Sequence, residues 1–238
     1  FEDYPAQGFD QCRPPHFAFE NHVANRTDQE SHSGRYSLGI PAGNTVTTTR
    51  ALTTTACNTT FNEVPYYIKS CDCVGRFGPE TYPGNPTRYV LSYWRKQEIP
   101  PGSQPVFQFS SILASLTLIS GAQLNVVEKQ TSKIIDGWQK EDIVFDLPAG
   151  TAGEIITGFT NAGATPAWID DVRVHPFNAT LKSFVYDPLT YRLWAELDER
   201  NFATFYQYDS EGTLIRVKKE TERGVMTVEE NFSSLKKQ

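Results

Sequence analysis

The sequence has little of what several protein classes require. It contains one methionine in 238 residues, and apolar residues at helical spacing never run beyond about ten positions. No stretch approaches the roughly 18 apolar residues that a helix needs to cross a bilayer. Positive charge is also scarce: the net charge is −6 at pH 7, whereas a nucleic-acid partner needs a basic face. We therefore expect no helical bundle, no membrane span and no nucleic-acid binding.

Familiar catalytic motifs are missing as well. There is no Gly-x-Ser-x-Gly elbow, no phosphate-binding loop and no dinucleotide fingerprint. No cysteine has an adjacent base that would activate it as a nucleophile. The histidines show no metal-ligand spacing; they are His16, His22, His32 and His175. These absences predict that the chain is not an enzyme.

The residues that are abundant favour β-structure. Aromatic residues make up 13% of the chain, and Phe, Tyr, Thr and Val favour pleated, half-buried surfaces. Sixteen glycines and fifteen prolines supply turns. The predicted strands are 35–40, 45–54, 64–70, 87–97, 105–109, 113–119, 123–130, 138–147, 154–161 and 166–174. Short strands with regular turns predict an all-β protein built on an antiparallel β-sandwich or jelly roll.

Charge density divides the chain near residue 178. Residues 179–238 hold 19 charged residues in 60 positions, whereas the preceding 178 positions hold 31. The front part is rich in Thr, Gly and Pro instead. We therefore predict a β-sandwich over residues 1–178 and a β-hairpin tail over residues 179–238.

The tail repeats itself. Tyr186-Asp187 and Tyr208-Asp209 lie 22 residues apart, and an apolar strand follows each pair. Each unit closes with a similar hexamer that begins Glu-Arg, in which Asn201 matches Gly224. Asn and Gly tolerate the left-handed backbone of a tight hairpin. Because two units are too few to stack alone, the tail is expected to lean on the sandwich or on a partner.

The four cysteines leave two interpretations open. They are Cys12, Cys57, Cys71 and Cys73. One residue separates Cys71 from Cys73, which is tighter than the spacing of zinc sites. One or two disulfides in an oxidising compartment fit this pattern better, with Cys57 joined to one member of the close pair as one option. Free buried thiols are the alternative.

The tail resembles the YD-repeat (Rhs-type) pattern, in which tyrosine-aspartate precedes a glycine, a leucine and a threonine hairpin. The second unit, Tyr208-Asp209-Ser210-Glu211-Gly212-Thr213-Leu214, fits best. The first unit departs from the pattern, with Thr190 and Tyr191 where a glycine is expected. The resemblance implies a strand-rich, non-catalytic segment of a very large secreted or cell-surface protein.

The front part resembles calcium-bearing jelly-roll carbohydrate-binding modules in three segments. They are Phe1-Glu2-Asp3, the stretch 31–38 (SHSGRYSL) and the stretch 168–174 (WIDDVRV). The two resemblances together imply the C-terminal end of a large bacterial surface protein. The implied partners are a polysaccharide, the rest of such a parent protein, or a secretion or motility complex.

Asp170 is the candidate metal ligand within the third segment. Side chains alternate along a strand, so Asp170 shares a face with Val172 and Val174 and enters the core if they do. A buried carboxylate is costly unless it is paired, hydrogen-bonded or bound to a metal. One alternative is that Asp170 caps a turn through hydrogen bonds.

The resemblance supplies the other alternative, a structural Ca²⁺ that ties the first and last strands together. Calcium takes six to eight oxygen ligands. Glu2 and Asp170 would contribute side chains, and His32 and Arg35 would contribute main-chain carbonyls. Asp171, on the outward face, is a weaker candidate.

A sugar-binding platform is predicted at Trp94. Alternation places Tyr89 and Tyr93 inward, so that Trp94 faces outward on the same strand. An exposed tryptophan offers a flat apolar surface to a sugar, although packing is the commoner role of large aromatic side chains. Tyr67 and Tyr82, near the cysteine segment, are further candidates for lining a groove.

Two functions follow from these patterns. The first is a non-catalytic carbohydrate-binding or adhesin-like module at the end of a large secreted or cell-surface protein. The second is a structural or targeting module that caps a YD-repeat body, or docks on a secretion or motility partner, without binding sugar.

Overall fold

The computed structural model describes residues 25–51, 87–118, 120–148, 154–187 and 189–231. These residues form antiparallel strands and essentially no helix, which confirms the predicted all-β class. The strands are β1 (Arg26–Thr27), β2 (Ser37–Ile40), β3 (Thr45–Ala51), β4 (Thr87–Gln97), β5 (Ile112–Leu118), β6 (Asn125–Ile135), β7 (Trp138–Leu147), β8 (Glu154–Asn161), β9 (Ala167–Pro176), β10 (Ser183–Tyr186), β11 (Leu193–Leu197), β12 (Ala203–Tyr208), β13 (Leu214–Thr221) and β14 (Gly224–Glu230). Among the described residues, no helix has the length and apolar character that a membrane crossing requires.

The first nine strands form two facing sheets. One sheet has six strands in the order β1-β2-β9-β4-β7-β6, and the other has three in the order β3-β8-β5. Strands that are distant in sequence, such as β2 and β9, are neighbours in space. This arrangement confirms the predicted antiparallel β-sandwich.

Apolar residues that alternate along the strands fill the space between the two sheets. Tyr89, Leu91 and Tyr93 of β4 point into this core, as predicted. Tyr93 meets Phe159 of β8 edge to face, with ring centroids 4.9 Å apart. Aromatic pairs favour this geometry because the positive edge of one ring meets the negative face of the other.

One predicted strand is wrong. Residues 105–109 lie in an irregular segment, where Val106 and Phe107 are exposed. Pro105 has no N–H group to donate to a ladder, which disfavours pairing at this point. Phe109 ends the segment as a buried core residue. The predicted strand 64–70 lies outside the described residues.

The last five strands form a separate antiparallel sheet, the C-terminal sheet, in the sequential order β10-β11-β12-β13-β14. Its hairpin turns include Asn201 with φ of 65° and Gly224 with φ of 129°. Both residues therefore adopt the positive φ that their matched positions in the repeat predict.

The C-terminal sheet packs against the outer face of the six-stranded sheet. Trp94, Trp138 and Trp168 form a buried cluster on that face, and Phe202 and Val225 of the C-terminal region pack against them. The expectation that the tail leans on the sandwich is confirmed. We refer to this contact region as the junction.

Candidate functional site

Trp94 lies at the centre of the junction and does not face solvent. Its side chain is 0% exposed, and its indole Nε1 donates a 2.7 Å hydrogen bond to the main-chain carbonyl of Asn201. The imidazole of His32 stacks on the indole, with ring centroids 4.0 Å apart. The prediction of an exposed platform at Trp94 is therefore wrong. Alternation indicated the outward direction of this side chain correctly, but it carries no sign of the sheet that covers it.

Asp170 is buried as predicted, at 1% exposure, but on the other face of its strand. It pairs with Trp94 across the β4–β9 ladder, whereas Val174 pairs with the core residue Leu91. Directly paired residues share a face of the sheet, so Asp170 lies on the side of Trp94. The register shifts at this point of the ladder, and Asp171 has a φ of 48°. A bulge of this kind inserts a residue and reverses the alternation, so the expected shared face with Val174 is wrong.

Main-chain N–H groups hold the Asp170 carboxylate. Its Oδ2 accepts hydrogen bonds from the N–H groups of His32 at 2.8 Å and Ser33 at 3.3 Å. Its Oδ1 accepts one from the N–H of Asp171 at 2.8 Å. Hydrogen bonds of this kind satisfy a buried carboxylate. The structure thus shows the turn-capping role that was the alternative to a metal.

Only part of the predicted calcium site falls within the described residues. Within that part of the chain, no group of three or more His, Cys, Asp or Glu side chains is placed to hold a metal ion. His32 and Arg35, the predicted main-chain ligands, lie in the bend before β2. Glu2 lies outside the described residues. Calcium stays a prediction.

His32 joins the sandwich to the C-terminal sheet. Its Nδ1 lies 2.7 Å from Oδ2 of Asp171 in β9, and its Nε2 lies 3.0 Å from Oε1 of Glu220 in β13. Ser33 Oγ donates to the second oxygen of Asp171, and the N–H of Ala203 donates to the second oxygen of Glu220. Both carboxylates are therefore fixed in place around the imidazole. We call His32, Asp171 and Glu220 the histidine clamp.

The clamp holds its histidine in the charged form. Burial alone lowers the pKa of His32, but the hydrogen bonds to Asp171 and Glu220 outweigh burial and raise the pKa to about 10. Burial likewise tends to raise the pKa of Asp171, and the hydrogen bonds from His32 and Ser33 reverse that effect and lower it. Each ring nitrogen of an imidazolium is a donor, so one charged ring can serve both carboxylates.

A groove of about 650 Å³ opens beside the clamp, and we call it the junction groove. The outer face of β4, β6, β7 and β9 forms one side. The hairpin turns at 199–202 and 222–223 form the other. Phe177, just beyond β9, lines the groove and is 50% exposed. The site therefore exists only when the C-terminal sheet is seated on the sandwich.

Two polar side chains of this lining are buried, and each has one nitrogen or oxygen atom without a hydrogen-bond partner among the described residues. Arg173 is 5% exposed; its Nη1 donates a 2.7 Å hydrogen bond to the carbonyl of Asp198, while its Nη2 has no partner within the described part of the chain. Asn201 Nδ2 donates to the carbonyl of Asp171 at 3.0 Å and to Ser92 Oγ at 3.2 Å. Asn201 Oδ1 likewise has no hydrogen-bond partner among the described residues. An unpaired buried polar atom costs about 1–3 kcal/mol, which makes such atoms uncommon and informative.

A second cleft, of about 710 Å³, lies between the C-terminal sheet and the turn that carries His32. It includes both aspartates of the tyrosine-aspartate pairs. Asp187 accepts hydrogen bonds from the N–H of Leu189 and the hydroxyl of Thr190, and Asp209 accepts from the N–H groups of Glu211 and Thr213. These carboxylates cap turns, so their recurrence has a structural explanation.

Most of the histidine clamp and the junction groove was not predicted from the sequence. No pattern singled out Glu220, although its carboxylate completes the clamp. A signal for the groove was present in the repeated hexamers, because each Glu-Arg pair occupies a hairpin tip that lines it. The remaining predicted site residues lie outside the described residues; they are Tyr67, Tyr82, Cys12, Cys57, Cys71 and Cys73.

Comparison with known proteins adds little to this geometry. No protein-family model and no curated protein matches the chain. A solved structure described as a family 16 carbohydrate binding module is similar, with 11% sequence identity over 63% of this chain and 82% of that one. The TM-score of 0.32 is too low to support a conclusion about fold or function. The proposals below rest on the residues of the site.

Proposed function

We propose that the chain is a non-catalytic polysaccharide-binding module and that the junction groove holds the sugar. A sugar ring presents apolar C–H faces and a rim of hydroxyl groups. It therefore suits a site that combines an exposed aromatic ring with planar polar side chains. The observation that carries the proposal is Phe177, half exposed in a groove whose lining also presents the exposed, planar guanidinium groups of Arg200 and Arg223.

The size and composition of the groove support this assignment. Binding clefts for small ligands typically measure about 300–1,000 Å³, and the junction groove falls within that range at about 650 Å³. Its lining supplies exposed donors such as Arg200 and exposed acceptors such as Glu199 and Glu222. Hydroxyl groups both donate and accept hydrogen bonds, so a mixed lining can serve them along a chain of sugars.

Affinity electrophoresis through gels that contain soluble polysaccharides tests the proposal. Phe177→Ala removes the aromatic surface of the groove. Phe184→Ala is the matched control, because Phe184 is equally exposed, at 50%, and lies outside the groove. We expect Phe177→Ala to weaken binding to a retained polysaccharide roughly tenfold, while Phe184→Ala leaves it unchanged. No retention by any polysaccharide, or equal retention of the two variants, would contradict the proposal.

A second candidate function is docking on a larger protein assembly. Phe184 of β10 and Met226 of β14 belong to one cross-strand row of the C-terminal sheet, and both are about half exposed. Large exposed apolar side chains on a sheet face are a feature of protein–protein contacts. A Phe184→Asp, Met226→Asp double variant that still binds polysaccharide, but is lost from the cell surface of the native host, would favour docking. Unchanged localisation of this variant would count against it.

A further inference from the structure

The charged side chains that line the junction groove are unevenly paired. Three of the four acids have partners: Asp142 lies 2.8 Å from Lys140, Glu199 lies 3.6 Å from Lys182, and Glu128 accepts a 2.7 Å hydrogen bond from Gln130. Glu222 is the exception. The two lysines balance the charges of Asp142 and Glu199, whereas the amide of Gln130 is neutral and leaves the charge of Glu128 in place.

The basic side chains of the same groove are mostly free. Lys133 of β6 is exposed, as are Arg200 and Arg223 at the two hairpin tips. Within the described part of the chain, none of the three has an ion-pair or hydrogen-bond partner for its side-chain nitrogens. Arg200 and Arg223 occupy matching positions of the repeated hexamer, so the repeat itself places two guanidinium groups at one groove.

Arg173 adds a fixed positive charge beneath this surface. Its guanidinium is buried and held at one nitrogen by the carbonyl of Asp198, while Nη2 has no partner in the described ranges. Because that atom is buried, Arg173 does not touch the ligand, and nearby carboxylates such as Asp171 and Asp198 partly balance its charge. The exposed Lys133, Arg200 and Arg223 make the direct contacts.

We infer that the ligand of the junction groove is an acidic polysaccharide, whose carboxylate or sulfate groups pair with Lys133, Arg200 and Arg223. This inference rests on the proposed polysaccharide-binding function and names the ligand class. Guanidinium groups suit both anions because their forked N–H donors match two oxygens at once. The whole chain has a net charge of −6, so binding of an acidic polymer requires a local basic patch such as this one.

The test compares polymers that differ in charge but not in backbone. Polygalacturonate and its fully methyl-esterified form are one such pair, and chondroitin sulfate with its desulfated, carboxyl-esterified form is another. Binding of the full chain is measured by affinity electrophoresis and calorimetry at about 20 mM and about 500 mM NaCl. We expect affinity for at least one acidic polymer, at least tenfold weaker binding to its esterified form, and a steep loss at high salt.

Two charge-matched variants locate the effect. The groove variant combines Lys133→Gln, Arg200→Gln and Arg223→Gln. The control variant also removes three positive charges, through Arg35→Gln, Lys218→Gln and Lys219→Gln, all outside the groove. We expect the groove variant to lose about tenfold in affinity for the acidic polymer, and the control to lose less than threefold.

The outcomes separate the two proposals. Binding to neutral or esterified polymers as tight as binding to acidic ones, with sensitivity to Phe177→Ala, overturns the charge inference and leaves the polysaccharide function in place. Equal losses in the groove and control variants also overturn the charge inference, because they show general attraction only. Binding to no polymer of either kind overturns both.

Discussion

The sandwich core and the junction are both buried, but they are built from different chemistry. The core cluster consists of apolar and aromatic side chains such as Leu91, Phe145 and Phe159. The junction combines three tryptophans with a charged histidine and two carboxylates. Apolar contacts tolerate small shifts, whereas hydrogen-bonded charges require one relative position. The core therefore stabilises the sandwich, whereas the junction fixes the position of the C-terminal sheet and thereby forms the groove.

Removing the C-terminal sheet should have the largest effect on the stability of the sandwich. Truncation after residue 178 exposes Trp94, Trp138 and Trp168, whose burial contributes on the order of 10 kcal/mol. Typical domains have only about 5–15 kcal/mol of net stability. We expect the truncated chain to be insoluble or largely unfolded at 25 °C, as judged by circular dichroism and gel filtration. A monomeric truncated chain with unchanged near-ultraviolet dichroism would show that the sandwich does not need the sheet.

A substitution in the clamp and one in the core should lower the free energy of unfolding by similar amounts. Only the loss caused by the clamp substitution should depend on pH. His32→Ala leaves Asp171 and Glu220 buried without their partner, which costs about 3–5 kcal/mol near pH 6. Leu91→Ala creates a cavity in the core at about 2–5 kcal/mol. Urea denaturation of both variants and the wild type at pH 6, 8 and 10 measures the two costs.

The sign of the pH effect follows from the pKa of His32. The folded-state pKa is raised from 6.5 to about 10, so the stabilisation is complete below about pH 6.5 and is lost as the pH rises through about 10. The difference in free energy of unfolding between wild type and His32→Ala therefore decreases from about pH 6.5 to about pH 10. The corresponding difference between wild type and Leu91→Ala stays nearly constant. If both differences changed with pH in parallel, the distinction between clamp and core would be contradicted.

Breaking an exposed ion pair of the C-terminal sheet should have the smallest effect on the free energy of unfolding. Arg216 of β13 and Glu230 of β14 form an ion pair in which both side chains are about one-third exposed. Arg216→Gln should lower the free energy of unfolding by less than about 1 kcal/mol, because solvent screens exposed pairs. A loss as large as that of His32→Ala would mean that burial does not set the strength of the clamp. The same denaturation series measures it.

The strands of the sandwich and two hairpin turns of the C-terminal sheet could be predicted from the sequence. Strand alternation placed Tyr89 and Tyr93 in the core, and the Asn and Gly of the repeated hexamers predicted the positive φ of Asn201 and Gly224. These features are local, because a period of two residues or a left-handed turn is visible within a few positions of sequence.

The junction could not be predicted in the same way, because it depends on contacts between distant residues. The bulge near Asp171 reversed the face of Asp170, and a single inserted residue leaves no mark in the alternating pattern. Trp94 faces outward as alternation predicts, but its cover comes from a turn more than 100 residues away, at Asn201. Glu220 had no local motif at all, although it completes the clamp with His32.

The protonation state of His32 tests the central claim, that a buried charged histidine joins the two sheets, most directly. Nuclear magnetic resonance of isotope-labelled imidazole rings in the folded protein follows its titration from pH 5 to pH 10.5. We predict that His32 keeps protons on both ring nitrogens up to about pH 9 and titrates near pH 10. Titration of His32 near pH 6.5, or a ring that is already neutral at pH 8, would contradict the claim.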